Sequence, residues 1–494
     1  MNKKIEMQLS KHIIQKKQLP EKVLQFGTGV LLRGLCDYFI DKANKQGIFN
    51  GSVVVVKSTS SEGADAFATQ DNLYTHFIRG VEGGQTKEDV IVNESISRVI
   101  SANDHWTDIL QCAANPEMQL IISNTTEVGI AYHEENVLEG TPVSFPGKLL
   151  AFLFERYKAF NGSEDAGMVI IPTELVTDNA TKLKAILLQL AAFNQLDEAF
   201  VQWLKNANEF CNSLVDRIVP GKLSGEEKIN AEQQLGYTDE LMIMSEVYRL
   251  WAIETSSAKA EAVLSFSQVD EGVVLADDIY KFRELKLRLL NGTHTYICGL
   301  AILAGFETVK DAMHKAFFRS FVTELMLNET CNAITDERVS YEEAKAFSLK
   351  VIDRFSNPFI EHKWLSIALQ YTSKMQLRNV PVLLKYGEKR KSAPYFMATG
   401  FAAYLLFMKA VKNENTSEGK YSIKDDKAAI LQKHWAEAAG TDELVQNVLS
   451  DVTLWQADLT SIEGFAAAVK ESVQHLTHKG IETTLQNLSY QNIA

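Results

Sequence analysis

The length, composition and charge of this chain exclude several classes of protein. At 494 residues it exceeds the roughly 250–300 residues at which one hydrophobic core stops growing, so we expect two domains. Hydrophobic residues make up 46% and charged residues 23%, as in a folded globular protein and unlike a disordered chain. A net charge of −13 argues against a general nucleic-acid or anionic-membrane surface, and leaves room for a local basic pocket.

Several features predict a soluble cytoplasmic protein without a metal. The N-terminus has no apolar segment typical of a signal peptide. The uncharged stretch from Ala393 to Met408 falls short of the roughly 18 apolar residues that span a bilayer, and it predicts a buried helix. The five cysteines form no Cys-x-x-Cys pair, which indicates reduced thiols. His133-Glu-Glu-Asn136 lacks the His-Glu-x-x-His spacing of a zinc site, so we expect a solvated acidic loop there.

The first half of the chain alternates short β-branched runs with helical patterns. Near-continuous apolar runs are typical of strands that are buried on both faces of a parallel sheet. Four such runs stand at Lys22–Phe26, Ser52–Val56, Gln119–Ser123 and Met168–Pro172. Helical spacing follows at Leu183, Ile186, Leu187 and Leu190. The alternation predicts a Rossmann-like, doubly wound α/β domain.

The second half is different, because strand patterns fade from about Asp277 onward. Helical periodicity dominates there, as in Leu285–Leu290, Tyr296–Ala304 and Ala398–Val411. The sequence therefore predicts a dinucleotide-binding domain over residues 1–275 and a mainly α-helical substrate and catalytic domain over residues 276–494. The polar run 413–420 is typical of a surface loop.

A glycine-rich turn follows the first predicted strand, as Phe26-Gly27-Thr-Gly29-Val-Leu-Leu-Arg33-Gly34. A glycine pair between strand and helix lets the backbone approach a pyrophosphate, whose charge the helix N-terminus favours. The third glycine of the usual motif is displaced to Gly34, so a plain tight turn remains open. The position of the motif in the first strand–turn–helix unit favours dinucleotide binding. Arg33 is expected to pair with a phosphate or a substrate carboxylate, or else to be a solvated first-turn arginine.

The ends of two further strands supply candidate cofactor contacts. Lys57-Ser58-Thr59 stands where a carboxylate usually holds the adenine ribose, and Glu62 is the nearest acid. This leaves the choice between NAD and NADP open, with Ser58 as a candidate contact. Asn124 and Thr125 follow another strand at its carboxyl end, where an open α/β sheet binds ligands. Two interpretations of this segment are open: a loop that contacts the nicotinamide end of the cofactor, and an Asn/Thr turn that binds no ligand.

Lys286, Asn291 and His294 lie within one short segment that suits carbonyl chemistry. On a helix Asn291 and His294 share a face, and Gly292 permits a local departure from helical geometry that brings Lys286 near them. Carbonyl reduction needs a proton donor and groups that hold the developing oxyanion, roles open to lysine and asparagine. His294 is then expected to orient substrate hydroxyls. Spacing alone leaves a solvated lysine, an Asn-Gly turn and a structural histidine open.

This segment closely resembles the signature of the mannitol dehydrogenase family, the polyol-specific long-chain dehydrogenases. The residues that match the family are Asp277-Asp-Ile, Lys286, Leu290-Asn291-Gly292 and His294-Thr295, together with the Phe26–Arg33 turn and the block Phe210–Ile218. The resemblance implies an NAD-dependent, metal-independent oxidoreductase in which Lys286 is the acid/base, supported by Asn291 and His294. It also implies Asn179 as a second amide that holds the oxyanion, with Ala180 in place of the family's glycine.

Within the family, the resemblance extends to members that act on hexuronates. The segments that carry it are Gln25–Gly29, Asn115–Met118, Ser123–Glu127, Ile170–Leu175, Ser366–Leu369 and Ser373–Lys374. Ser366 stands where mannitol-type members have an arginine, which argues against mannitol as the substrate. Lys374 and Arg378 are expected to face a sugar-acid carboxylate. Asp216 is expected to lie near Lys286, or to pair with Arg217 or Arg283.

The activity implied by the resemblance is NAD-dependent reduction of D-tagaturonate to D-altronate in hexuronate catabolism. Fructuronate reduction and mannitol or arabinitol oxidation are alternatives within the family. A non-catalytic dinucleotide-binding regulatory protein is the alternative from another class. We expect a small sugar-acid substrate as partner, with no nucleic acid or membrane, and the oligomeric state stays open.

Overall fold

The computed structural model describes residues 5, 7–58, 64–125, 128–411 and 420–491. The chain forms two compact units, residues 1–79 with 87–279, and residues 80–86 with 280–494. The predicted order, a Rossmann-type domain followed by a helical one, is confirmed. The helices of the first unit are α1 Val30–Gly34, α2 Cys36–Lys45, α3 Ala64–Thr69, α4 Trp106–Gln111, α5 Phe145–Ala159, α6 Asn179–Phe193, α7 Glu198–Asn206, α8 Gly225–Leu235 and α9 Ala258–Val263.

A six-stranded parallel sheet forms the centre of the first unit, in the order β5-β2-β1-β6-β7-β8. Its strands are β1 Glu21–Phe26, β2 Ser52–Lys57, β5 Ile96–Ser101, β6 Leu120–Ser123, β7 Val169–Pro172 and β8 Glu209–Phe210. This is the strand order of a Rossmann fold, in which the order reverses between β1 and β6. All four predicted strands are present.

Alternating side chains of this sheet pack into two hydrophobic cores, one on each face. Val23, Val53 and Ile122 pack on one face with α2, whereas Leu24, Val54 and Ile121 pack on the other with α5 and α6. Because both faces are buried, the strands read as continuous apolar runs rather than as alternating ones. This apolar pattern made the strands predictable from the sequence.

Two smaller sheets in the first unit were not predicted. One has the order β10-β11-β3-β4 and the other β13-β12-β9. Their strands are β3 Tyr74–Glu82, β4 Gln85–Asn93, β9 Ser213–Asp216, β10 Gly221–Lys222, β11 Ile243–Ser245, β12 Leu250–Glu254 and β13 Val273–Ala276. The tip of the β3–β4 hairpin is the segment 80–86 of the second unit, where Gly83 donates its N–H to the carboxylate of Asp353.

The second unit is built from helices. They are α10 Tyr280–Glu284, α11 Thr293–Leu303, α12 Val309–Met313, α13 Ala316–Glu324, α14 Cys331–Ile334, α15 Tyr341–Phe355, α16 Trp364–Ile367, α17 Tyr371–Lys374, α18 Val380–Lys389, α19 Tyr395–Lys409, α20 Ala428–Glu437, α21 Thr441–Ser450, α22 Val452–Trp455, α23 Phe465–His478 and α24 Ile481–Gln491. The predicted buried helix is α19, which packs against α11. No described helix is long and apolar enough to cross a membrane. The predicted surface loop at 413–420 lies, except for Lys420, outside the described residues.

Three segments of the second unit are π-helices, at Leu285–Gly292, Leu325–Thr330 and Met375–Asn379. A π-helix has more residues per turn than an α-helix, and such segments are frequent at functional sites. The first and the third pack against each other. They carry Lys286, Asn291 and Arg378, and so position much of the predicted site.

Candidate active site

The turn after β1 is shaped to bring a ligand close to its backbone. Gly27 has a φ of +126°, and a Cβ there would meet the carbonyl oxygen of Asn124 at 3.0 Å. A Cβ on Gly29 would meet nothing within 4 Å, so the space above this residue is open. Both turns, after β1 and after β6, lie at the reversal of strand order, where open α/β sheets bind ligands.

The turn after β6 is held by a buried acid that sequence reasoning did not single out. Glu174 Oε1 accepts the backbone N–H and the hydroxyl of Thr125, both at 2.9 Å. Its Oε2 accepts the hydroxyl of Ser123 at 3.1 Å. Asn124 donates its amide to the carbonyl and hydroxyl oxygens of Thr173. Burial raises the pKa of Glu174. Contacts of Asn124 and Thr125 with a cofactor stay a prediction.

Two residues of the predicted cofactor motif have buried side chains. Phe26 is fully buried, with its ring centroid 5.1 Å from that of Phe145. Arg33 is only 2% exposed, so the alternative of a solvated arginine is wrong. Its guanidinium donates to the carbonyl of Leu241 at 2.5 Å and lies over the ring of Tyr74. These contacts place the guanidinium of Arg33 in the interior of the first unit, and its contact with a phosphate or a substrate carboxylate stays a prediction.

The end of β2 leaves the choice of cofactor open. Ser58 is exposed and follows Lys57, which is buried. Thr59 and Glu62 lie outside the described residues. Ser58 therefore stays a candidate contact for the adenosine end of a dinucleotide.

Asn179 requires a correction, because its amide already has protein partners. The side-chain nitrogen donates to the carbonyls of Pro172, Glu174 and Ser213 at 3.0–3.1 Å. The side-chain oxygen accepts the N–H groups of Ala180 and Ser213. With 1% exposure and all donors used, Asn179 ties the start of α6 to the ends of β7 and β9. Its amide is not available in this structure to hold an alkoxide.

Asp216 is buried at the end of β9, in register with Leu250 of β12. Its neighbour Arg217 donates to the carbonyls of Gly34 and Glu246. Burial lowers the pKa of Arg217 to about 10. The predicted place of Asp216 near Lys286 stays a prediction.

The predicted departure from α-helical geometry is present as the π-helix Leu285–Gly292, which runs into α11. Lys286 and Asn291 are half-buried on it. The Asn291 side-chain amide has no hydrogen bond to any described residue, and its carbonyl accepts the Thr295 hydroxyl at 2.8 Å. The amide is therefore available to a ligand.

Gly292 contributes in a different way from the one predicted. Its φ of −64° is ordinary for a helix. A Cβ at this position would meet Oδ1 of Asn379 at 3.0 Å, and Asn379 donates to the Gly292 carbonyl. A side chain at this position would crowd Asn379, because the two π-helices come close together here.

His294 follows in the first turn of α11 and is 7% exposed. Its ring stacks on Phe355 at 4.0 Å between centroids and meets His362 edge-on at 5.2 Å. Its buried Nε2 has no hydrogen-bond partner in the described chain. Burial, and then the charges of His362, Arg354, Arg378 and Lys374, lower the pKa of His294 well below its ordinary value. The imidazole is therefore neutral at pH 7, with one nitrogen open to a ligand.

Two cations lie close to these residues. Arg378 donates to the Asn291 carbonyl and to the Thr295 hydroxyl, at 3.4 and 3.3 Å. Lys374 donates to the carbonyl of Ile367 at 2.9 Å. Burial lowers the pKa of both side chains, and the charge of Arg378 lowers that of Lys374 further. The second unit thus brings Lys374 and Arg378 near Asn291 and His294, and their contact with a sugar-acid carboxylate stays a prediction.

Comparison with known proteins identifies the family. A model of the mannitol dehydrogenase Rossmann domain matches residues 21–265, and one of the mannitol dehydrogenase C-terminal domain matches residues 278–477. The chain belongs to the mannitol dehydrogenase family. It is 37% identical over 479 residues to an altronate oxidoreductase of Bacillus subtilis, covering 96% of each chain. It is 36% identical to an altronate oxidoreductase of Escherichia coli O7:K1, covering 95% of this chain and 97% of that one. This member of the family is therefore an oxidoreductase.

Solved structures share the fold along the whole chain. A substrate-free D-sorbitol dehydrogenase has a TM-score of 0.77 at 19% identity, covering 97% of this chain and 100% of that one. A ternary complex of mannitol 2-dehydrogenase from Pseudomonas fluorescens with NAD and D-mannitol has a TM-score of 0.65 at 22% identity, with coverage of 98% and 99%. At these identities the likeness concerns the fold alone.

The residues after β1 fit the dinucleotide that a Rossmann-type oxidoreductase uses. Gly27 admits close approach of the chain, and the space beside Gly29 is open. The pyrophosphate of a dinucleotide takes this place at the reversal of strand order in Rossmann domains. Sequence reasoning found this turn through its glycines, but it missed Glu174, which fixes the neighbouring turn, and His362, which contacts His294.

Proposed function

We propose that this chain interconverts D-tagaturonate and D-altronate with NAD as its cofactor. The observation that carries the proposal is the pair of half-buried cations Lys374 and Arg378, of which Arg378 donates to the backbone carbonyl of Asn291. Burial disfavours the positive charge of both side chains. A bound anion would offset this cost, and the two cations would in turn stabilise the anion. A sugar acid has such an anion, and an uncharged polyol does not. The two altronate oxidoreductases that resemble this chain along nearly their whole length support the choice.

Bound NADH supplies the hydride. The residues that would hold it are those of the turns Gly27–Gly29 and Asn124–Thr125, together with Ser58. Lys286 donates a proton to the oxygen of the substrate ketone as it becomes an alkoxide, and it takes the proton back in the reverse direction. The free amide of Asn291 donates a hydrogen bond to the same oxygen and stabilises its developing charge. A lysine acid/base serves this chemistry without a metal.

His294 orients the substrate rather than exchanging the proton. Its pKa lies well below the ordinary value, so at neutral pH the imidazole cannot act as a cationic acid. Nε2 offers one directional hydrogen bond to a substrate hydroxyl. The stack on Phe355 holds the ring in place, which favours one orientation of the polyhydroxy chain.

The decisive experiment follows NADH absorbance at neutral pH with D-tagaturonate, D-fructuronate and D-fructose in turn. We expect rapid oxidation with tagaturonate, slower oxidation with fructuronate and little with fructose. Faster turnover of fructuronate would refute the choice of hexuronate. Turnover of fructose without tagaturonate would refute the sugar-acid class, and no turnover of any of them would favour a non-catalytic dinucleotide-binding protein.

A further inference from the structure

His362 is a histidine whose ring nitrogens make no hydrogen bond within the described chain and whose backbone is fixed. It precedes α16, and its carbonyl accepts the N–H of Val309 at 2.9 Å. The next residue, Lys363, pairs with Thr308 in an isolated antiparallel bridge, and Trp364 donates its indole N–H to the carbonyl of Thr308. The side chain is half-buried, and its ring nitrogens have no hydrogen bond to any described residue. A polar group held in a fixed position without a partner suits a ligand.

The surroundings of His362 are basic. His294 meets it edge-on at 5.2 Å, and the charge of Lys374 acts on both imidazoles. The groups that act electrostatically on His294 are His362, Arg354, Arg378 and Lys374, all of them basic. We call His294, His362, Lys374 and Arg378 the basic cluster. In the described chain, Nε2 of His294 and the ring nitrogens of His362 have no hydrogen-bond partner, so an anion that accepts hydrogen bonds would satisfy both histidines.

We propose that His362 is a substrate-binding residue that donates a hydrogen bond to the carboxylate of the sugar acid, beside Lys374. The inference rests on the proposed function and adds a residue that determines specificity for sugar acids over polyols. It follows from the contact of the His362 ring with that of His294, at 5.2 Å between centroids, and from the charge of Lys374, which acts on His362.

The test compares His362→Asn with wild type on two ligands that differ at one end. D-Altronate carries the carboxylate, and D-altritol carries a hydroxymethyl group in its place. We expect His362→Asn to raise KM for altronate about 10- to 100-fold, the range for a lost hydrogen bond to a charged group. The inhibition constant of altritol and kcat should change less than about threefold. Lys374→Met should have the same selective profile, and His314→Asn, an exposed histidine in the same unit, should behave as wild type.

A pH profile gives a second readout. Burial and Lys374 lower the pKa of His362 below its ordinary value. The charged groups near His294 and His362 are Lys374, Arg378 and Arg354, and burial lowers the pKa of His294 well below its ordinary value. Protonated His362 attracts the carboxylate more strongly, so KM for altronate should rise with pH in wild type and stay flatter in His362→Asn.

Equal losses on altronate and altritol would mean that His362 only holds His294 in place, and would overturn the proposal. An unchanged KM for altronate would overturn it as well. If wild type turned over no hexuronate, the proposed function itself would fail, an outcome distinct from either of these. Titration of NADH into His362→Asn, with unchanged affinity, verifies that the variant is folded.

Discussion

At the scale of single residues, hydrogen-bond partners distinguish two asparagines for which the same role was predicted from the sequence. Asn179 and Asn291 were both predicted to hold the oxyanion. The amide of Asn179 is used by carbonyls of its own unit, whereas that of Asn291 has no partner among the described residues. An amide that is already saturated stabilises the fold, and one that is held without a partner can serve a ligand.

This difference predicts opposite effects for two alanine substitutions. Asn291→Ala should lower kcat about 100- to 1,000-fold, as for loss of an oxyanion donor, with an almost unchanged melting temperature. Asn179→Ala should lower the free energy of unfolding by about 1–3 kcal/mol or more, because buried carbonyls lose their donor. Steady-state kinetics and denaturant unfolding of both variants check this. The reverse assignment of effects would restore Asn179 to the chemistry.

Lys286 is the residue on which the mechanism depends most. Lys286→Ala should reduce kcat at least about 100- to 10,000-fold, the usual contribution of general acid–base catalysis. NADH affinity should stay within about twofold, because lysine acts on the substrate oxygen and not on the cofactor. Lys350→Ala, at an exposed lysine of α15, is the matched control. Fluorescence titration with NADH and stopped-flow rates give the two quantities. Retained turnover would remove Lys286 from the mechanism.

At the scale of elements, close packing of α11 and α19 depends on two glycines. A Cβ on Gly299 would meet the backbone of Ala403 at 2.9 Å, and one on Gly400 would meet the carbonyl of Tyr296 at 2.9 Å. Backbone cannot shift as a side-chain end can, so an added methyl separates the helices. The cost of overpacking, about 1–3 kcal/mol, should exceed the gain of about 1 kcal/mol in helix propensity.

Gly299→Ala should therefore unfold at lower denaturant concentration than wild type. Gly440→Ala is the control, because a Cβ there meets nothing within 4 Å. Circular dichroism in urea measures both. A Gly299→Ala protein as stable as wild type would show that α11 and α19 adjust to the methyl group at little cost.

The elements also show what the sequence could predict. Strands β1, β2, β6 and β7 were predicted because both of their faces are buried. Strand β4 was not, since its first six residues are exposed, five of them are polar, and they carry no burial pattern. Motif reasoning likewise found Lys286 and Asn291, which stand in one segment.

Contacts between distant segments account for what was missed. The burial of Arg33 was missed because its partner, Leu241, lies 208 residues away in the sequence. His362 had no motif of its own, and only the fold brings it against His294. A single sequence without structure offers no signal for either contact.

At the scale of the whole molecule, net charge and local charge have opposite signs. The chain carries −13, yet the basic cluster gathers cations on neighbouring helices of the second unit. Overall charge therefore argues against a general nucleic-acid surface and leaves a local site for a sugar acid possible. Acids are also buried, and burial raises the pKa of Asp37 in the first unit to about 7 and that of Glu329 in the second to about 8. Such groups make folding stability depend on pH.

Glu329 allows this dependence to be measured on its own. Its carboxyl accepts the N–H groups of Phe396 and Met397, at 2.9 and 2.7 Å, where α19 begins. The folded state holds the proton up to a pKa of about 8, whereas the unfolded chain loses it near 4.5. Between these values the folded state binds more protons, so wild type loses stability as pH rises, by up to about 1.4 kcal/mol per pH unit.

Glu329→Gln cannot titrate, and it keeps an oxygen that accepts one of the two N–H groups. The difference in free energy of unfolding between Glu329→Gln and wild type should therefore shift steadily in favour of the variant from pH 5 to 8. The lost acceptor adds only a constant offset to this difference. Glu342→Gln, at an exposed position on α15, controls for removal of a carboxylate from the same unit. Urea unfolding across this pH range gives the difference between the curves. Parallel curves for Glu329→Gln and wild type would mean that Glu329 has the same pKa in the folded and the unfolded chain.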